Sequence, residues 1–291
     1  MTNSFFYRET CPACESKQRK IKFQSTVENS KASSRDYVGT NTGYGKYHDM
    51  YECLSCHVLY MNPIDGNLDQ LCADVVDEDY LASWDERAFM FRDHLVELKK
   101  YIEKGSLLDV GCYAGIFLSE AKKYGFDVTG IEPSTWAADY VRSKVGCTVY
   151  QGILEKYDLP KNEFDIITIW DVIEHLSDPR LSLKKAYEAL KPGGYIAIAT
   201  HDIHSVFARV LGKKYPWLMR FHLVHFSPST LSSLLRAVGF EIKDVIFYKK
   251  ALSINYFLKR VGIQTPLNSI TKRRLAFNTG DMFMIIAQKQ K

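Results

Sequence analysis

The chain has 291 residues, of which 46% are hydrophobic and 25% charged, with a formal net charge of +4. These are the values of a globular protein with room for one large domain and a smaller module, and the charge alone does not single out nucleic acid as a partner. No run of about 18 apolar residues is available to span a membrane, and residues 1–10 lack a basic-then-apolar leader, so the cytoplasm is the expected compartment.

The first signal is cysteine. Four of the seven cysteines form two Cys-x-x-Cys pairs, Cys11 with Cys14 and Cys53 with Cys56, with 38 residues between the pairs. Each two-residue spacer lets one tight turn present both sulfurs to the same ion, and four thiolates complete a closed tetrahedral site, so the pattern predicts structural zinc in a ribbon module over 1–63. Reduced, unliganded cysteines or a redox pair are the alternative. The long connection is affordable because loop-closure entropy grows by only ~0.6 kcal/mol per doubling of length. His48 and His57 are bystanders to a site that four cysteines already fill. Residues 24–48, polar and glycine-bearing, read as a flexible loop, and 58–63 as a short strand ended by Pro63.

An acidic stretch at 64–80 marks the junction between modules. Phe91, Leu95, Leu98 and Ile102 then repeat at helical spacing within a helix over 84–104 that Gly105 closes; 64–104 is thus linker and amphipathic helix. From 105 to 291 strands and helices alternate. Strands are expected at 107–110, 127–132, 148–151, 164–170, 195–200, 241–249 and 281–289, and helices from 116, over 134–144, from Asp178-Pro179 to Gly193-Gly194, from Ser227-Pro228 to Gly239, and near 252–262. The run FDIITIW at 164–170 barely alternates, as in a strand buried on both faces, so the sheet is mainly parallel with helices on each side. There is no internal repeat.

The stretch LLDVGCYAGIFL at 107–118 places a glycine turn between a buried strand and a helix, the first half of a nucleotide-binding unit. Glu132 ends the next strand, where a carboxylate can accept both hydroxyls of a ribose. The turn holds Gly111 and Gly115 only, which is not the spacing of the NAD fingerprint.

These residues, with WDVIEHLSDP (170–179), LKPGGYIAIAT (190–200) and HLVHFSPSTL (222–231), resemble the class I S-adenosylmethionine-dependent methyltransferases over about 105–289. The resemblance implies a Rossmann-like seven-stranded α/β sheet carrying methyl transfer. It implies that Asp109 and the turn residues Gly111, Cys112, Tyr113 and Gly115 hold the methionine end. Glu132 and Pro133 would meet the ribose, Ile153 and Leu154 the adenine, and Trp170 and Asp171 the methionine portion. Two positions depart from the family, Tyr113 in place of a glycine and Ile153 in place of an acid; Tyr113 either covers or crowds the cofactor.

Methyl transfer needs in-line positioning, plus a base when the acceptor loses a proton. His175, His201, His204, His222 and His225 follow the ends of strands or the segment before the Ser-Pro helix, whereas His94 lies upstream, outside the expected site. His175, His201 and His222 are the candidates for the base, against the alternative that each is a structural hydrogen-bonding histidine. The segment KKYPWLMRF (213–221) is expected to line an acceptor with an apolar or ring-shaped face, or to form a hydrophobic cap. Residues 17–22 and 272–274 are expected to be solvated basic faces, with contact to a phosphate as the alternative. A small-molecule or carbohydrate acceptor is the first expectation, RNA the second, and a non-catalytic cofactor-binding or zinc-ribbon adaptor the third.

Overall fold

The structure, a computed structural model, describes residues 5–27, 32–38, 45–248, 250–253, 274–277 and 279–291. The N-terminal part contributes β1 (Phe5–Phe6), β2 (Arg19–Phe23), β3 (Met50–Cys53), β4 (Leu59–Met61) and β5 (Ile64–Asp65). Three helices follow, α1 (Leu68–Ala73), α2 (Glu78–Ala82) and α3 (Trp84–Leu98). The alternating region opens with β6 (Ser106–Val110), α4 (Ile116–Lys123), β7 (Asp127–Glu132), α5 (Thr135–Lys144) and β8 (Thr148–Gln151). It continues with β9 (Phe164–Trp170), α6 (Pro179–Ala189), β10 (Leu190–His201), α7 (Val206–Leu211) and β11 (Val224–His225). The last elements are α8 (Pro228–Val238), β12 (Phe240–Phe247), β13 (Lys250–Ser253), β14 (Arg274–Phe277) and β15 (Met282–Lys289).

Seven strands form the main sheet in the order β12-β15-β10-β9-β6-β7-β8, parallel except for β15, which runs antiparallel to both neighbours. This is the expected Rossmann-like methyltransferase sheet. Side chains alternate between two cores: Leu107, Ile166 and Ala197 face α3, α4 and α5, while Leu108, Ile167 and Ile196 face α6 and α8. Burial on both sides explains why these strands carry no polar face. Helix starts follow local chemistry. Asp178 accepts the Leu181 N–H at 2.9 Å ahead of Pro179, and Ser227 caps α8 by accepting the Thr230 N–H at 3.3 Å.

Several boundaries differ from expectation. Helix α3 ends at Leu98, where the Leu98 carbonyl takes both the Tyr101 and Ile102 N–H groups. Gly105 serves close packing instead: a Cβ there would stand 2.7 Å from Asp165 Oδ2. Helix α6 stops at Ala189, before the Gly193-Gly194 pair, because β10 begins at Leu190 and a Cβ on Gly194 would come 2.9 Å from the Lys191 carbonyl. Leu252 and Ser253 belong to β13, and the rest of the helix expected near 252–262 lies outside the described residues, as do Lys272 and Arg273. Lys20 and Lys22 do form an exposed face, both against Glu52.

Residues 24–48 are not a free loop where described. Tyr47 is fully buried, and Ser34–Tyr37 is a 3-10 turn whose Tyr37 donates to Asp65 at 2.7 Å. The N-terminal sheet has the order β11-β4-β3-β2, so its edge strand arrives from residues 224–225. Cys11, Tyr47 and Met61 accordingly share one core with Leu108 and Leu231. No helix among the described residues is long and apolar enough to cross a membrane.

Candidate active site

Strands β6 and β9 are neighbours whose connections lead to opposite sides, and the crevice beyond their carboxyl ends is where open α/β sheets bind ligands. A cavity of about 280 Å³ opens there. Its floor is the glycine turn. Gly111 has φ +70, and a Cβ at this position would lie 2.6 Å from Val172 Cγ2, so only glycine lets the backbone face the cavity. Gly115 also has positive φ but serves packing, since a Cβ would meet Val141 of α5 at 2.9 Å. Cys112 is buried behind the turn, with Sγ facing Gly130. Of the expected turn residues, Gly111 and Tyr113 line the cavity and Cys112 and Gly115 do not.

Glu132 lines the cavity from the end of β7, and its two oxygens accept the N–H groups of Tyr113 and Ser134, each at 2.8 Å. Burial raises its pKa to about 7, against the opposing pull of those two donors. Pro133, Ile153, Leu154, Trp170 and Asp171 complete this end. Trp170 Nε1 finds no hydrogen-bond partner among the described residues. Asp109 sits beneath the floor rather than in it: it is buried, accepts Thr168 Oγ1–H at 2.7 Å, and burial raises its pKa to about 8.

The roof comes from residues 68–91, which pattern reading assigned to a linker and helix. Leu68, Cys72, Val75, Asp77, Tyr80, Arg87, Met90 and Phe91 all face the cavity. Tyr113 reaches up to this roof, its hydroxyl accepting the Asp77 N–H at 2.6 Å and its ring packing edge-on against Tyr80 at 4.7 Å. A second fastening runs from Ser134 Oγ–H to the Val75 carbonyl at 2.7 Å. Arg87 lies 3.6 Å over the Tyr80 ring and, among the described residues, is the one Lys or Arg that lines the cavity. Its position four residues before Phe91, on the buried stripe of α3, was the available signal. His94, expected outside the site, packs tilted against Trp170 behind the cavity wall, ring centroids 4.8 Å apart.

The far end collects histidines. His175, His201 and His222 line the cavity together, while His204 and His225 do not. His175 Nδ1 lies 2.8 Å from the Phe221 carbonyl and His222 Nδ1 lies 2.8 Å from the Trp217 carbonyl. A carbonyl can only accept, so both rings carry a proton on Nδ1, which in the neutral ring leaves the Nε2 lone pair available. Burial, reinforced by His175, holds the His222 pKa well below the usual imidazole value, and burial brings His225 to about 3. His201 packs 4.1 Å from Trp217, with Nδ1 3.6 Å from Glu174 Oε1. Glu174 is itself buried and accepts Thr200 Oγ1–H at 2.9 Å. The 213–221 segment is no cap helix: past the short turn Gly212–Lys214 it is irregular, and Trp217, Met219 and Phe221 enter the cavity. Ligand atoms of Glu174, His175 and His222, and likewise of Asp171, Glu174 and His201, lie within 4.8 Å of one another.

A separate cluster joins Cys11, Cys14, Cys53 and Cys56, whose sulfurs all fall within 4.8 Å of one another. Cys11 Sγ is 3.6 Å from Cys56 Sγ, and Cys14 Sγ is 3.5 Å from Cys53 Sγ. Four sulfurs at Zn–S distances of about 2.3 Å stand ~3.8 Å apart in a tetrahedron, so the donor set fits zinc. The hydrogen bond with Cys56 brings the Cys11 thiol to about 5, while burial lifts Cys14 to about 11.

Comparisons with known proteins agree with this geometry. Residues 82–245, more than half of the chain, match a family profile described as a methyltransferase domain. The ubiquinone biosynthesis O-methyltransferase of Shewanella halifaxensis is 27% identical over 182 residues, 53% of this chain and 76% of that protein. Its namesake from Pseudomonas putida is 30% identical over 154 residues, 48% of this chain and 66% of its own length. Among solved structures, an S-adenosylmethionine-dependent methyltransferase from Archaeoglobus fulgidus superposes with a TM-score of 0.53 at 22% identity, covering 73% of this chain and 100% of that one. One from Thermotoga maritima gives 0.52 at 23% identity, over 73% and 95%. At these identities the structural likeness speaks for the fold.

Proposed function

This chain belongs to the methyltransferase-domain family and is an S-adenosylmethionine-dependent methyltransferase; from that premise we propose that it methylates a hydroxyl of a small ring-bearing acceptor, a sugar or nucleotide-linked sugar, with His175 as the base. The observation that carries this reading is that one cavity joins the glycine turn and Glu132 to the histidine end. The residues present fit the cofactor. Glu132 would accept hydrogen bonds from the ribose hydroxyls, Ile153 and Leu154 would flank the adenine, and Arg87 would pair with the carboxylate of the methionine portion. Gly111, Trp170 and Asp171 would surround the rest of that portion, while Asp109 supports the floor through β6. Bound S-adenosylmethionine supplies an electrophilic methyl group on a sulfonium sulfur.

At the acceptor end, Tyr37, Trp217 and Phe221 offer ring faces, which suit the C–H face of a sugar or another ring. The O-methyltransferase names of the relatives support oxygen as the methylated atom. His175 receives the hydroxyl proton at Nε2, because its Nδ1–H is committed to the Phe221 carbonyl, which also stabilises the resulting imidazolium. His222 and His201 orient the acceptor. The four cysteines would hold structural zinc, and none of them lines the cavity.

His175→Gln tests the assignment. General-base removal is expected to lower methyl transfer by roughly 10²- to 10⁴-fold while S-adenosylhomocysteine binding stays unchanged. Transfer from labelled S-adenosylmethionine is measured into nucleotide sugars, catechols and total RNA. Label confined to RNA refutes the acceptor class, and activity retained within threefold refutes the base. The carboxylate and imidazoles grouped at Glu174, His175 and His222 favour a second reading, a divalent cation activating the hydroxyl, for which addition of Mg²⁺ or Mn²⁺ to stripped enzyme would raise the rate.

A further inference from the structure

The outer wall of the histidine end, residues 215–226, is braced by the N-terminal cysteine segment as well as by the main sheet, where Tyr215 and Trp217 donate to Asp281 Oδ2, just ahead of β15, at 2.8 and 3.3 Å. Residues 215–226 carry Trp217, Phe221 and His222, and contain no helix that could hold them in place. Several connections to residues 37–65 supply that bracing, among them the Gly45 N–H donating to the Leu218 carbonyl at 3.1 Å. Arg220 grips Asp65 with two hydrogen bonds, Nε to Oδ2 at 2.9 Å and Nη2 to Oδ1 at 2.7 Å, and both residues are buried. Tyr37, from the long connection between the two cysteine pairs, donates to the same Asp65 Oδ2 at 2.7 Å and sets its ring 6.4 Å from Phe221. Met61 N–H donates to the Leu223 carbonyl at 2.8 Å, and β11 pairs with β4 immediately beyond.

What these connections hold is the imidazole array. Phe221 stacks on His175 with ring centroids 5.0 Å apart and planes 13° from parallel, and its carbonyl fixes the His175 proton on Nδ1. Leu223 N–H donates to the Glu174 carbonyl at 2.7 Å, tying the same segment to the turn that carries His175. The cofactor end is held separately, by Glu132 on the Tyr113 and Ser134 amides and by Tyr113 and Ser134 on the roof.

We propose that the cysteine segment is the acceptor-side scaffold of this enzyme. Asp65, Arg220 and Tyr37 are positioning residues that set the tautomer and orientation of His175, and Tyr37 also presents its ring to the acceptor. Loosening this segment opens the acceptor end and leaves the cofactor end intact. The proposal rests on the methyltransferase reading only for the word acceptor; the coupling itself is a property of the chain.

The coupling is tested on the full chain by hydrogen exchange and by long-range proton–nitrogen spectra of ring-labelled histidine, with His175→Gln identifying the resonance. Asp65→Asn leaves Arg220 buried without its countercharge. Expected is at least tenfold faster exchange over 215–226, exchange within twofold of wild type over 107–132, and a His175 ring that shifts from a pure Nδ1–H form to a mixture. Stripping metal from the cysteines is expected to give the same pattern. Tyr37→Phe, which removes one hydroxyl, gives a smaller change of the same kind and serves if Asp65→Asn does not fold. Unchanged protection over 215–226, or equal loosening of both regions, overturns the proposal. S-adenosylhomocysteine calorimetry runs in parallel: absence of binding to wild type would sink the methyltransferase reading while the exchange result still decides the coupling.

Discussion

Replacing Glu132 by Gln should weaken cofactor recognition, with denaturant unfolding of the variant measured alongside to separate that loss from any loss of the turn. The carboxylate already holds the Tyr113 and Ser134 amides at 2.8 Å each, leaving one further lone pair on each oxygen for the ribose hydroxyls. The amide keeps one acceptor oxygen and turns its NH2 toward the Tyr113 or Ser134 N–H, so one backbone amide loses its acceptor and one charge-assisted hydrogen bond to the ribose is lost, the latter worth about 1.5–3 kcal/mol. That corresponds to a roughly 10- to 150-fold rise in the Kd of S-adenosylhomocysteine by calorimetry at pH 8. The pH dependence supplies an independent check. In the ligand-free protein burial raises the Glu132 pKa to about 7, so below that pH the group is increasingly protonated and its proton must leave before the hydroxyls can donate to it. Wild-type Kd should therefore rise as pH falls from 8 to 6, approaching tenfold per unit below 7, whereas Glu132→Gln loses this component. Binding by the Gln variant within twofold of wild type at pH 8, with the fold retained, would refute the reasoning.

Three further outcomes are expected. Arg87→Met should weaken S-adenosylhomocysteine by roughly tenfold or more, the loss of one charge-assisted hydrogen bond of at least about 1.5 kcal/mol, and should weaken a carboxylate-free analogue such as methylthioadenosine much less. Gly115→Ala places a Cβ 2.9 Å from Val141 at φ +73, so denaturant unfolding should show a loss of at least ~1–2 kcal/mol from the left-handed backbone alone. Metal analysis should return one zinc per chain, falling by at least tenfold in Cys11→Ser; full retention of zinc in that variant would exclude the four-cysteine site.

The sheet was readable because its signals are local. FDIITIW shows no polar face, Asp178-Pro179 and Ser227-Pro228 mark helix starts, and Gly111 stands where only glycine fits against Val172. The cysteine pairs were equally legible, since two fixed spacings recur. The roof was not, because an acidic stretch reads as solvated until Val75 and Asp77 are seen fastened to Ser134 and Tyr113. Nor could composition reveal that Asp65 meets Arg220 from 155 positions away, or that β4 acquires its neighbour from residues 224–225. Gly105 and Gly194 misled for a related reason: each answers a close approach at Asp165 rather than a helix end.

The pairing of β4 with β11 also bears on how the protein is made. About 160 residues separate Met61 from Val224 in the chain, and at ribosomal rates of ~5–20 residues per second they take roughly 10–30 s to synthesise. Through that interval the nascent N-terminal sheet carries an open edge of the kind that invites wrong partners. A fragment cut after residue 63 would keep that edge permanently, so the ribbon is better expressed with the whole chain than as a separate piece.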